Sequence, residues 1–224
     1  LGAACRSEAC WIRQSFARNE LPQDILAYTF APPQPNIWKE KPSTWLTSDD
    51  ITSVMKQVEH GYPSFGFFGP SPIDFDTRIE FGQCVWNDIC GFDVAAQLEK
   101  GISKFGFIFN TDPHNKGGEH WIAMYVDANI GEITYMDSYG DPPPVQISRL
   151  IARLEKQLRS LGVEPIVNVI NRRHQLGDSE CGMYCLFFIV SLVRGDRKPV
   201  DFQKQRIADN EVRKLREVYF NKTV

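Results

Sequence analysis

The sequence predicts an α+β fold, a single domain in which an apolar helix packs on a mostly antiparallel sheet. Three observations point there. Residues 105–109, 120–126 and 132–136 are short aromatic or β-branched runs, the last two joined by Asp127–Gly131, a hairpin-length connection. Cys181–Val193 is almost wholly apolar, the pattern of a helix buried on all sides. Helical periodicities lie before and after the strands rather than alternating with them.

In chain order, Cys10–Arg18 has the pattern of a short helix. A stretch punctuated by Pro22, Pro32, Pro33, Pro35 and Pro42 should wrap a surface without regular structure. Thr47 and Asp50 have capping-box spacing, and Ile51, Val54, Met55 and Val58 recur at helical intervals until Gly61. Gly61–Asp76, rich in Gly, Pro and Phe, reads as a loop. After the three strands, Asp141-Pro-Pro-Pro144 breaks the sheet. Ser148 then caps a helix with Leu150, Ile151, Leu154, Leu158 and Leu161 on one face, closed by Gly162. Pro165–Ile170 is a further strand, and Asp201–Phe220 an amphipathic helix.

Bulk properties exclude several classes. A formal net charge of −3 gives no general attraction to nucleic acid or to an anionic membrane. The local excess of Lys and Arg over Arg197–Lys222 reads as the solvated face of a helix. No run approaches the roughly 18 to 20 apolar residues that cross a bilayer. Leu1–Cys10 lacks a basic segment followed by an apolar one, so it is not read as a signal peptide, and a reducing, cytoplasmic setting is expected. Cys5, Cys10, Cys84, Cys90 and Cys185 are accordingly expected as free thiols. No spacing suits a structural metal, and no cofactor is implied.

Cys181 falls where the loop Gly177–Glu180 meets the start of the buried helix. The positive end of a helix dipole favours a thiolate there, and Gly182 leaves room beside the sulfur for a substrate carbonyl. A cysteine inside an apolar helix is by itself most often core, and Cys185, one turn on, is assigned to packing. His120 opens a strand, and Asp137 ends its hairpin partner. Antiparallel pairing therefore puts both at one edge of the sheet, where the carboxylate can hold one imidazole nitrogen and turn the other toward a thiol. Gln175, six residues before Cys181, offers a side-chain amide to an oxyanion beside the Cys181 backbone N–H. A turn-capping role for Asp137 stays open.

His120-Trp121, Asp137-Ser138, Gln175 and Glu180-Cys181-Gly182, in this order and spacing, resemble the signature of the ubiquitin-like-protein (SUMO-type) proteases and adenovirus-type endopeptidases. Trp45-Leu46 before a capped helix is similar to the motif that opens the catalytic domain of SUMO proteases. The resemblance spans about Trp45 to Val193 and implies a papain-like, adenain-like fold, with residues 1–44 as an extension and 45–224 as the catalytic domain. It implies Cys181 as nucleophile, His120 as base and then acid, Asp137 as its orienter and Gln175 as oxyanion donor. Trp121 and Trp45 would flatten a Gly-Gly tail, since two indole faces close together admit only residues lacking a Cβ. Core packing accounts for Trp45 equally well.

Thr47-Ser48 stand where SUMO proteases carry an acidic substrate contact, and residues 1–42 and 61–88 are unmatched. Ser179–Cys185 resembles instead the polyprotein proteases of large nucleocytoplasmic DNA viruses, the asfarvirus type. The protein substrate implied first is thus a viral structural polyprotein cut after Gly-Gly-type sequences, and second a ubiquitin-like conjugate. A thioester acyltransferase and an inactive Gly-Gly-binding module are the remaining readings. Whether a peptide or nucleic-acid activator is needed is left open by the sequence.

Overall fold

The structure is a computed structural model and describes residues 31–221. The expected helix at Cys10–Arg18 lies outside them. Thr47 caps helix α1 (Ser48–Gly61): its Oγ1 accepts from the Asp50 N–H at 3.2 Å, and its own N–H donates to Asp50 Oδ2 at 2.8 Å. Ile51, Val54 and Met55 are buried along one face of it.

A five-stranded sheet follows, in the order β1 (Phe65–Pro72), β2 (Lys104–Asn110), β3 (Trp121–Asp127), β4 (Glu132–Met136), β5 (Ile166–Ile170). The sheet is mixed rather than mostly antiparallel. β2, β3 and β4 form the antiparallel centre, while β1 and β5 pair in parallel at the edges. β1 corrects the loop expected over Gly61–Asp76. Its glycines and prolines are tolerated because an edge strand has one free side and the register shifts between Phe68 and Ser71.

Short helices α2 (Asn87–Cys90) and α3 (Val94–Glu99) separate β1 from β2. Cys84 and Cys90 are joined in a disulfide, where free thiols were expected; the turn between them brings their Cα atoms to 6.3 Å. Helix α4 (Val145–Ser160) begins after Pro144, so Ser148 lies inside its first turn and Leu161, at its far end, is partly exposed. Helix α5 (Cys181–Arg194) is buried nearly throughout. The single helix expected over Asp201–Phe220 is three short ones: α6 (Pro199–Lys204), α7 (Asp209–Lys214) and α8 (Arg216–Tyr219). Breaks free side chains to reach inward, as when Asp209 accepts from the N–H groups of Leu176 and Gly177 at 3.1 and 2.9 Å. The Pro-rich stretch contains a 3₁₀ turn, Asn36–Lys39, whose Trp38 is buried in the core. Among the described residues no helix is long and apolar enough to cross a membrane, and no cluster of His, Cys, Asp or Glu could hold a metal ion.

Candidate active site

The hairpin register sets the geometry. Ala123 faces Met136, so continuing the ladder brings the residues just before β3 alongside those just after β4. His120 Nε2 lies 2.8 Å from Asp137 Oδ1, both side chains being largely buried. Asp137 Oδ1 also accepts the Tyr139 N–H at 2.8 Å, which fixes the carboxylate. The Cys181 thiol also acts on the imidazole, being among the groups that raise it. Since Nε2 is taken by Asp137, Nδ1 is the nitrogen left for sulfur. Burial alone would push His120 down; its hydrogen bonds to Asp137 and Cys181, with the attraction of both groups, more than offset this and raise it to about 9.

Helix α5 puts Cys181 at its first position. No side chain caps that end, so the first-turn N–H groups are left for an oxyanion. Cys185 is fully buried, and burial pushes its thiol up, consistent with packing alone. Gln175 is also fully buried. Its Oε1 accepts from Ser138 Oγ at 2.7 Å, and its Nε2 donates to the Gly177 carbonyl at 2.9 Å and to the Tyr139 hydroxyl at 3.4 Å, which pins the amide. A Cβ at Gly182 would meet Leu46 at 3.0 Å, so its missing side chain also admits Leu46.

Trp121 is buried and donates from Nε1 to the Leu46 carbonyl at 3.1 Å, while Trp45 is 39% exposed. Both line a groove of about 740 Å³ that runs past Trp86, Pro113 and Gly118. Trp45 also borders a second hollow, about 450 Å³, that contains His120, Asp137, Asp141 and Asp178. It therefore stands between the long groove and the reacting side chains.

Sequence reasoning missed three supports. The Tyr139 ring stacks on His120 with centroids 4.8 Å apart. Glu180, immediately before the nucleophile and 1% exposed, is held by Arg213 at 2.9 Å and Arg216 at 3.0 Å. Arg216 in turn lies 4.4 Å from the centre of the Trp38 ring. These arginines belong to the stretch expected as a solvated face, yet Arg216 is buried. Of the other histidines, His114 lines the long groove and pairs with Asp74 at 2.6 Å, and buried His174 accepts the Ile207 N–H.

Residues 107–223 match the model of the Ulp1 protease family, C-terminal catalytic domain. The mimivirus protein R355, from Acanthamoeba polyphaga mimivirus and named as a thiol protease, is 32% identical over 98% of this chain and 70% of its own length. The chain belongs to the Ulp1 protease family. Within that family, the SUMO-1 cysteine protease S273R of African swine fever virus is 32% identical over 76% of this chain and 66% of its own length. The crystal structure of African swine fever virus pS273R protease superposes with a TM-score of 0.76 at 26% identity, covering 99% of this chain and 85% of that one. The α+β protease fold and the cysteine protease class read from the sequence both hold for this Ulp1-family chain.

Proposed function

We propose that this chain is a viral maturation protease that cuts structural polyproteins after Gly-Gly-type sequences, acting in the host cytoplasm. The observation that carries the reading is the His120–Asp137 pair at 2.8 Å, with Cys181 at the start of α5 acting on the same imidazole, set beside a groove that Trp45 and Trp121 border. Cys181 attacks the carbonyl of the second glycine, expelling the amine of the next residue, while the imidazole, held by Asp137, carries the thiol proton. The first-turn N–H groups of α5 receive the oxyanion, joined by the Gln175 amide when its long 3.4 Å bond to the Tyr139 hydroxyl gives way. His120 then protonates the leaving amine, and water hydrolyses the thioester. The two indoles restrict the positions before the cut to glycine. None of these steps calls for a metal or organic cofactor.

A second reading, removal of a ubiquitin-like tag, is favoured by the relative named as a SUMO-1 cysteine protease. The test sets Gly-Gly-X hexapeptides beside SUMO-1 with its Gly-Gly tail. Cleavage of the peptides after glycine, lost in Cys181→Ala with the fold intact, supports maturation. Cleavage of the folded tag alone supports the second reading. Activity that survives Cys181→Ala sinks both.

A further inference from the structure

Phe81 is poorly explained by the fold. Among the described residues it is the most exposed large apolar side chain, at 97%. Its backbone stands at φ 59°, ψ 18°, a left-handed conformation that a bulky side chain disfavours and that turns usually give to Gly, Asn or Asp. The ring thus gains nothing from burial and sits badly in its turn. An asparagine would serve the local structure better.

The turn is nevertheless tied down. Arg78 and Cys84 form an antiparallel bridge, Arg78 Nη1 donates to the Gly82 carbonyl at 2.7 Å, and the Ile79 N–H donates to the Gln83 carbonyl at 2.8 Å. The aromatic is held out into water on a braced hairpin, with Ile79, 44% exposed, beside it. The base of this hairpin is the groove wall. Val85 and Trp86, which line the groove, donate their N–H groups to the carbonyls of Thr77 and Phe75 at 3.0 Å. Three residues lie between Phe81 and Val85, so the tip stands within about 14 Å of the groove wall. A folded body whose tail lies along that wall can therefore meet it.

We propose that the Ile79–Phe81 tip is an exosite that docks on an apolar patch of the folded domain whose C-terminal tail enters the groove. Exposed, rigidly presented aromatics are the residues that dominate protein contacts. The contact forms equally in the ground and transition states, so it acts on KM and leaves kcat alone. The inference rests on the Gly-Gly cleavage proposed above, which the short peptide reports separately.

The experiment compares wild type with Phe81→Asn and Phe81→Ser on two probes carrying one Gly-Gly reporter: a hexapeptide, and SUMO-1 bearing the same tail. The expected result is a five- to tenfold higher KM for the folded probe in both variants, with hexapeptide kinetics within twofold of wild type. Phe81→Asn should melt no lower than wild type, because it relieves the left-handed strain. Equal kinetics of wild type and variants on the folded probe would overturn the exosite while leaving Gly-Gly cleavage in place. Equal loss on both probes would overturn it too, as would a dimer in sedimentation that the variants dissolve without any change in KM. Failure of wild type to cut the hexapeptide at glycine would instead remove the reading on which it rests.

Discussion

The two faces of the central sheet pack against different helices and differ in how closely they let them approach. One carries Phe105, Phe107 and Phe109 of β2, Ile122, Met124 and Val126 of β3, and Ile133 and Tyr135 of β4, packed against the apolar face of α4. Its aromatic rings meet in stacked and edge-on pairs, as between Phe68 and Phe107 at 5.5 Å. The other face is mixed: Ile108, Trp121, Tyr125 and Met136 pack with Ala123 against helix α5, and the small residue Gly106 sits among them. A Cβ at Gly106 would come within 2.7 Å of the Phe65 ring and 3.1 Å of Ile189, so the helix lies closer than a side chain there would allow. The α4 face is bulky throughout, whereas on the α5 face Gly106 leaves the space through which the nucleophile helix nears the strands that lead to His120 and Asp137. The chemistry is therefore carried on one side of the sheet, with the α4 face supporting it from behind.

This division can be broken by mutation. Phe107→Ala empties a large buried volume on the supporting face and should cost about 3–5 kcal/mol in chemical denaturation. Its kcat/KM on a Gly-Gly peptide should stay within twofold at 25 °C; a tenfold loss in the folded variant would show that the faces are not separable. Arg216→Leu acts on the working face. Leaving a buried Glu180 with one of its two partners should cost about 3 kcal/mol. Because Glu180 adjoins Cys181, single-turnover acylation should slow as well. Lost stability with unchanged acylation would mean that the ion pair serves the fold alone.

What the sequence disclosed follows the same division. Wherever hydrophobic periodicity is strict, the elements are as expected: α1 with its cap, the three central strands, and α5. β1 was hidden because Gly69, Pro70 and Pro72 are turn residues, and only the edge position makes them tolerable. The C-terminal polar periodicity runs on and predicts one helix; what divides it are contacts such as Tyr184 Oη to Asp209 at 2.8 Å, invisible to local pattern. His120 and Asp137 were legible through hairpin topology. Glu180 with Arg213 and Arg216 was not, since ion pairs 33 and 36 residues apart leave no periodic trace. The Cys84–Cys90 pairing escaped for a related reason: a six-residue separation becomes a bond only if the turn closes.

The smallest expected effect tests how the working face holds its charge. His120 is raised to about 9 even though burial opposes it, and the Asp137 and Cys181 hydrogen bonds are what lift it. A histidine raised in the folded state is an imidazolium that folding favours. Its stabilising contribution is complete below about 6.5, the unfolded value, and fades as the pH rises through about 9. Peptide cleavage by wild type should accordingly persist to about pH 9 and then decline, as the proton that the leaving amine needs is lost. Asp137→Asn keeps a side chain that can still hydrogen-bond the ring but removes the negative charge, so burial is less opposed. The alkaline limb of kcat/KM should then move to lower pH, and the stability difference between variant and wild type should shrink above pH 9. A limb that stayed in place would show that the carboxylate orients the ring without sustaining its charge. The close approach of α5 to the sheet would then rest on packing alone.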